Sequence, residues 1–296
     1  MDLLDPKHDT RRLRRQRGRA GGWRSRAALL LVLLAGALAA WALWFEPRRL
    51  VFRELPLELP GWPAPLVGMR VALMSDLHVG SPHWTLERLE NLVADTNRQQ
   101  PELVLIAGDF LINGVLGGHW VDPESIARVL GGLRAPLGTV AVLGNHDWWN
   151  DGERVRRALK QAGIVVLENE ALPLMRQGRR FFVAGLADQM TRRVRLEATL
   201  AQVPAGEPLL VLTHEPDIFT EIDSRASLTL AGHTHGGQVW LPLVGRLVVP
   251  SEYGQRYAAG HVVEDGRHLF VTTGVGTSIW PIRFGVPPEV VLLSLR

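Results

Sequence analysis

Five times along this 296-residue chain a short apolar run ends abruptly in Asp, His or Asn, and that recurrence constrains the fold more than any other feature. MRVALM runs into Ser75-Asp76-Leu77-His78, LVLIAG into Asp109, TVAVLG into Asn145-His146-Asp147, LLVLT into His214, and SLTLAG into His233-Thr234-His235. Helical patterns beginning at Thr85, Asp122 and Asp151 follow the first three runs. Strand, helix, strand in alternation requires a crossover, so part of the sheet is expected to be parallel. Thr85 and Asp122 are suited to cap their helices, Asp122 with Pro123 at the first helical position. The later runs FFVAGLA, LLVLTH, SLTLAGH, GHVVE, HLFVTTG and VVLLSL have fewer helices between them and predict a second, mixed sheet. The expected class is therefore α/β, two sheets packed together between helical layers.

A different pattern occupies the N-terminus. Ala27 to Phe45 is uncharged over 19 residues, and at about 1.5 Å per residue a helix of that length spans roughly 28 Å, the thickness of a bilayer core. Nine basic residues and three acidic ones precede it, a net of +6 for residues 1–26. The whole chain is +3, so the remainder sums to −3. The high pI of about 9.9 belongs to the tail, and the folded part is not a basic nucleic-acid surface. The run reads as an uncleaved signal anchor, with a cleaved signal peptide ending near Ala37, Ala39 or Ala40 as the alternative. The positive-inside rule puts the tail in the cytoplasm and the domain outside, in the periplasm of a two-membrane bacterium. Arg48, Arg49 and Arg53 follow the helix and keep a cytoplasm-facing domain as the alternative. The organisation is thus a basic tail over 1–26, a transmembrane helix over 27–45, a Pro-rich linker and first domain edge over 46–68, and the main domain over 69–296.

The five polar segments fall at strand carboxyl ends, where ligand sites of α/β folds lie. They gather five of the ten histidines (His78, His146, His214, His233 and His235) with Asp76, Asp109 and Asn145. No cysteine is present, which removes thiol nucleophiles, disulfides and iron–sulfur clusters and leaves oxygen and nitrogen donors. Such donors suit Mn²⁺, Fe²⁺ or Zn²⁺. Any one segment alone reads as an ordinary capped turn; five in order point to a metal site. Gly108, Gly144 and Gly232 fit a backbone that turns sharply beside such a site.

SDLH, GDF, GNHD, a separate TH and GHTHGG together resemble the motif set of the calcineurin-like metallophosphoesterase superfamily, from about Met69 to the C-terminus. The resemblance implies a four-layer αββα sandwich with two divalent cations, manganese first. It implies Asp76, His78 and His235 on one metal, Asn145, His214 and His233 on the other, and Asp109 bridging them. His146 would stabilise the transition state or protonate the leaving oxygen, and Asp147 would orient His146 or serve structure alone. The chain has GDFLING and GNHDWW where protein Ser/Thr phosphatases of the superfamily carry GDxxDRG and GNHE, which disfavours that activity. YGQRYAAG at 253–260 and GVGTSIWPIRFGVPPE at 274–289 resemble a membrane-associated bacterial branch that includes phosphodiesterases and UDP-2,3-diacylglucosamine hydrolases.

The expected substrate is accordingly a phosphodiester or pyrophosphate, lipid-linked or from the cell envelope. A non-catalytic, metal-stabilised membrane adaptor and a nuclease on the same fold are the alternatives; neither nucleic acid nor a protein partner is expected. Arg256 and Arg283 are the candidate phosphate binders, because a guanidinium matches phosphate geometry. The apolar residues after Asp109 (Phe110 to Leu116, and Trp120) and after His235 (Trp240 to Leu247) are expected either to flank the entrance or to pack on the core.

Overall fold

The computed structural model describes residues 7–296, with side chains described for Trp23 and from Ser25 onward. Of the basic tail expected over 1–26, residues 1–6 lie outside the described residues. Helix α1 runs over Lys7–Ala40, widens into a π-turn over Trp41–Phe45 and tightens into a 3₁₀ turn over Glu46–Arg48. The stretch Ser25–Arg48 is long and apolar enough to cross a membrane, and almost none of it is covered by the rest of the chain.

The chain then enters β1 (Val51–Leu57), β2 (Met69–Met74), α2 (Leu86–Arg98), β3 (Leu103–Ala107), α3 (Pro123–Leu130), β4 (Thr139–Val142), α4 (Asn145–Asn150), α5 (Gly152–Gln161) and β5 (Val165–Val166). These strands and the last one, β14 (Glu289–Leu295), form a sheet in the order β1-β14-β2-β3-β4-β5. All its pairs are parallel except β14 with β2. The second sheet uses β6 (Glu170–Arg176), β7 (Arg179–Gly185), β8 (Leu209–Leu212), β9 (Leu228–Ala231), β12 (Gly260–Glu264) and β13 (Arg267–Val271), in the order β12-β13-β9-β8-β7-β6. Its two outer pairs are antiparallel and its inner ones parallel. Helix α6 (Leu196–Leu200) and a short hairpin, β10 (Trp240–Leu241) with β11 (Gly245–Arg246), complete the domain.

Period-two alternation on the central strands builds three apolar layers. Leu73, Leu105 and Val142 face Phe181, Leu210 and Phe270 between the sheets. Met74, Ile106 and Ala141 point the other way and are covered by Leu92 of α2, Leu130 of α3 and Leu159 of α5. On the outside of the second sheet Phe182 and Val211 pack with Leu200 and Ile222. The result is the expected sandwich of two mixed sheets between helical layers. The helix starts are local. Thr85 and Asp122 accept from Arg88 N at 3.3 Å and Ser125 N at 2.8 Å, and Asp151 caps α5 through Arg154 N at 3.0 Å.

The segment 46–68, expected as a linker and first domain edge, joins the domain along much of its length. Val51–Leu57 pairs in parallel with β14 as an edge strand, while Leu59, Trp62 and Leu66 are buried between the sheets. Parallel pairing with the last strand of the chain is a long-range choice that a Pro-rich composition does not reveal.

Candidate metal centre

Each predicted ligand follows a strand, and the strands deliver them to one end of the sandwich. β2 leads to Asp76 and His78, β3 to Asp109, β4 to Asn145 at the start of α4, β8 to His214, and β9 to His233 and His235. Most are forced off ordinary backbone: Asp76, His78, Asp109, His233 and His235 all have φ between 40° and 69°. Non-glycine residues rarely adopt that region, and it persists where surrounding structure over-determines it, commonly at functional sites. Gly144 is required by close approach. A Cβ there would lie 2.3 Å from Asp109 Oδ1.

Asp109 sits between two clusters. Its Oδ2 lies 3.6 Å from His78 Nε2 and 3.2 Å from His214 Nε2. On one side His78 Nε2 is 3.1 Å from His235 Nε2, which is 3.3 Å from Asp76 Oδ1. On the other, His214 Nε2 is 3.1 Å from Asn145 Oδ1 and 3.2 Å from His233 Nδ1. Neighbouring ligands bound at about 2.1 Å to one cation stand roughly 3 Å apart, so the spacing is that of a coordination shell.

The protonation pattern agrees. His78 Nδ1 donates to Leu111 O at 2.9 Å and His214 Nδ1 to Ala107 O at 2.6 Å, because a carbonyl can only accept. That leaves both Nε2 lone pairs aimed inward, the arrangement by which metal-binding imidazoles are oriented. In the neutral, ligating form His214 Nε2 faces the Asn145 carbonyl oxygen with no proton to share, and Asp76 Oδ1 is buried with no hydrogen-bond partner. A buried cluster of acceptors without donors is costly unless cations fill it. Burial pushes the His78 imidazole down to about 3 and that of His233 down to about 4, with neighbouring His146 and His214 reinforcing the effect, and His235 is also held well below its ordinary value. Neutral imidazole is the ligating form. The residues therefore fit two adjacent cation sites with Asp109 shared.

A cleft of about 580 Å³ opens beside these ligands. Asp109, Asn145, His146, His233 and His235 form its polar floor, and Trp149, Met190, Leu247, Val248, Ile279 and Trp280 supply most of its apolar wall. His146 faces it with Nδ1 unpartnered, its ring 4.7 Å from that of His78 and 4.9 Å from that of Trp149.

The structure corrects the expectations for Arg283, Arg256 and Trp240, and chooses between the alternatives held for Asp147 and for the loop after Asp109. Asp147 does not reach His146 or the cleft: its carboxylate is buried and filled by the backbone N–H groups of Asp109, Phe110, Leu111 and Gly144 at 2.9–3.1 Å. Arg283 cannot meet a substrate phosphate. It is wholly buried and donates to the carbonyls of Thr273, Gly274, Gly276 and Val286. Arg256 is bidentate with Glu264 at 2.7 and 2.8 Å and does not line the cleft. Of the loop after Asp109, Phe110, Leu111, Ile112 and Val115 are core, and Leu116 and Trp120 are exposed. Trp240 is exposed on β10 and stands outside the cleft lining, although its neighbours Val239 and Leu247 belong to it.

Sequence reasoning missed what Arg283 holds. The loop it braces packs Gly274 and Gly276 against Asp76, where a Cβ on Gly274 would approach the Asp76 Cβ to 2.7 Å, and Gly276 N donates to Asp76 O at 2.6 Å. The signal was the glycine spacing in GVGTS, legible once the end of β13 is seen to meet that of β2.

Fold and centre together define a metal-dependent phosphoester hydrolase: the calcineurin-like phosphoesterase profile matches residues 69–237, and the chain belongs to that family. It is 31% identical over 272 residues to the uncharacterized metallophosphoesterase YkuE of Bacillus subtilis (strain 168), covering 89% of this chain and 93% of that protein. It is 34% identical to phosphodiesterase YaeI of Escherichia coli (strain K12), covering 76% and 82%. A transmembrane protein with a metallophosphoesterase domain from Danio rerio is 28% identical, covering 92% of this chain and 63% of that protein.

Proposed function

We propose that the chain is a membrane-anchored phosphodiesterase with a two-metal centre, acting on a lipid-linked or envelope phosphodiester. The observation that carries the hydrolytic reading is the Asp109 carboxylate held between His78 and His214 at the floor of an open cleft. Asp76, His78, Asp109 and His235 would hold one cation, and Asp109, Asn145, His214 and His233 the other. Manganese is the ion proposed for this all-oxygen and nitrogen donor set, with Fe²⁺ and Zn²⁺ as alternatives. Bound there, two divalent cations supply a nucleophilic water at neutral pH and offset phosphoryl charge.

The chain's own residues do the rest. The Asp147 carboxylate and the His146 backbone N–H, which donates to Asp109 Oδ1 at 2.9 Å, fix the shared carboxylate. His146 stands over the floor of the cleft, where its imidazole N–H can be given to a phosphoryl or leaving oxygen. Burial lowers its pKa, so at neutral pH it acts as a neutral hydrogen-bond donor. Trp149, Val248, Ile279 and Trp280 give the cleft an apolar wall, which supports a substrate carrying hydrocarbon. The kinship with a protein named as a phosphodiesterase supports diester over monoester.

Charge across α1 favours a domain outside the cytoplasm, and with it an envelope phospholipid over UDP-2,3-diacylglucosamine. The test uses the full-length chain in detergent, stripped of metal and reloaded with Mn²⁺, assayed on bis-p-nitrophenyl phosphate, phosphatidylglycerol and UDP-2,3-diacylglucosamine. Cleavage of the small diester that disappears in Asp109→Ala is expected; turnover by neither protein would refute the hydrolytic reading. Cleavage of the UDP-sugar but not the phospholipid would reverse the substrate order and the topology with it.

A further inference from the structure

The apolar helix is built into the loop that covers the metal ligands. Arg283 N donates to Ala42 O at 3.0 Å, and Arg88 Nη2 to Arg48 O at 2.6 Å. The ring of Trp44 meets His83 edge-on at 6.3 Å, and the buried Glu46 carboxylate accepts the Trp41 indole N–H at 2.6 Å. The first contact ties the end of the helix to the 276–286 segment, and the next two tie it to α2 and the loop before it. Trp41 and Trp44 are exposed, and the Arg48 guanidinium lies over the Trp44 ring at 3.2 Å. Aromatic and basic side chains at the end of an apolar helix mark the boundary of a bilayer.

At that junction the domain exposes apolar residues in places where folding offers no reason for them. Ile279 and Trp280 are exposed four and three residues before Arg283. The carbonyl of Ile279 accepts from Leu116 N, and Leu116 is exposed too. Gln238 Nε2 donates to the carbonyls of Ser278 and Trp280, and Trp240 N donates to Phe284 O at 2.7 Å, so the β10–β11 hairpin is bound to the same segment. Its tip is Leu243-Val244, and Leu243 is fully exposed. Leu243 and Ile279 have φ of 69° and 61°, a conformation that turns normally give to Gly or Asn and that is costly for a β-branched side chain. The backbone is strained in a way that holds hydrocarbon outward.

We infer that this lip, made by Leu116, Leu243, Val244, Ile279 and Trp280, is a membrane-docking surface that inserts into the leaflet from which the helix emerges. The occupant is the bilayer itself, because the lip is continuous through Arg283 and Ala42 with a helix fit to span it. Apolar side chains on such a rim gain by burial at the headgroup–acyl boundary. Ile279 and Trp280 also line the cleft, so the metal centre opens at the level of lipid headgroups. It follows, on the phosphodiesterase reading, that the substrate is the phosphodiester of a lipid taken from the membrane without leaving it.

The absence of cysteine from the chain gives a direct test. Full-length Leu243→Cys and Ser224→Cys are labelled with an environment-sensitive nitrobenzoxadiazole group and placed in phosphatidylcholine/phosphatidylglycerol vesicles containing dibrominated lipid. Ser224 is exposed just before the amino end of β9, opposite the site. A blue-shifted, bromine-quenched signal is expected at 243 and not at 224; a label at 243 that behaves like the one at 224 overturns the proposal. This readout needs no turnover, so docking and hydrolysis fail separately. With the active protein, Leu243→Asp with Val244→Asp is expected to lower cleavage of vesicle phosphatidylglycerol by roughly tenfold and to spare bis-p-nitrophenyl phosphate. Equal losses on both would also overturn it.

Discussion

The carboxylate of Asp147 receives the backbone N–H of Asp109, the residue proposed to be shared between two cations, at 3.0 Å, and three further N–H groups from Phe110, Leu111 and Gly144 complete its shell. Burial and the neighbouring Asp109 push this carboxyl up to about 7, while four donors and no other partner favour its ionised, acceptor-only form. Asp147→Asn turns an amide NH₂ towards two of those donors. A loss of about 2–4 kcal/mol is expected from hydrogen bonds to a buried charge, seen as a lower Tm, together with weaker metal binding. A variant that melts like the parent and holds metal as tightly would show that Asp147 does not position Asp109.

His146 is predicted to behave oppositely. Its ring touches the cleft and no partner satisfies Nδ1, so His146→Ala should leave metal content and Tm close to the parent's. The kcat should fall by about 10²- to 10⁴-fold, with a steeper loss for poor leaving groups if the imidazole protonates the leaving oxygen. Comparing p-nitrophenyl with alkyl diesters reads this directly. An unchanged kcat on both would remove His146 from the chemistry.

Arg283 is a structural cation. Burial pushes its guanidinium down to about 10, so it remains charged at neutral pH, with Asp76, Glu289 and Glu46 nearby to offset the charge. Arg283→Met strips the donors from four buried carbonyls and should cost roughly 3–5 kcal/mol. Because those carbonyls belong to the loop against Asp76, metal affinity should fall as well. A variant with a lower Tm and full metal affinity would confine Arg283 to global stability.

Metal binding should depend on pH in a definite direction. Burial, reinforced by Asp109, pushes the Asp76 carboxyl up to about 6 in the metal-free protein. Burial alone would lower His214, but Asp109 and the other carboxylates outweigh it and hold the imidazole well above its ordinary value. Both groups keep protons that must leave when they ligate a cation, whereas His78 and His233 have none to lose near neutrality. Affinity should therefore rise with pH and weaken by about tenfold or more per unit as pH falls below 6. Calorimetric titration with Mn²⁺ in buffers of different ionisation enthalpy should show net proton release at pH 6.5. The same affinity at pH 5 and pH 7 would contradict the assignment.

Much of this protein is legible in one dimension, because the information is local. A six-residue apolar run followed by Ser-Asp-Leu-His carries both the strand and the ligands at its end, and Asp122-Pro123 or Thr85 carries the start of a helix. The uncharged run from Ala27 needs no partner to declare itself. By contrast, Arg256 and Arg283 look alike as free cations in the sequence. Burial under the Thr273–Val286 loop and a bidentate pair with Glu264 separate them from any substrate, and both depend on residues brought together by folding. The same holds for Asp147, adjacent to His146 in sequence but turned by the first turn of α4 towards the N–H groups of another loop. Of the apolar residues after Asp109 and His235, composition alone could not say which were core; tertiary packing buried Phe110 and Ile112 and left Leu243 in the open. Sequence determined which strands and candidate ligands this chain would have, since those are set by neighbours along the backbone. Only the tertiary structure decided which charged and apolar side chains face the cleft or the membrane, because exposure is a property of what packs around a residue.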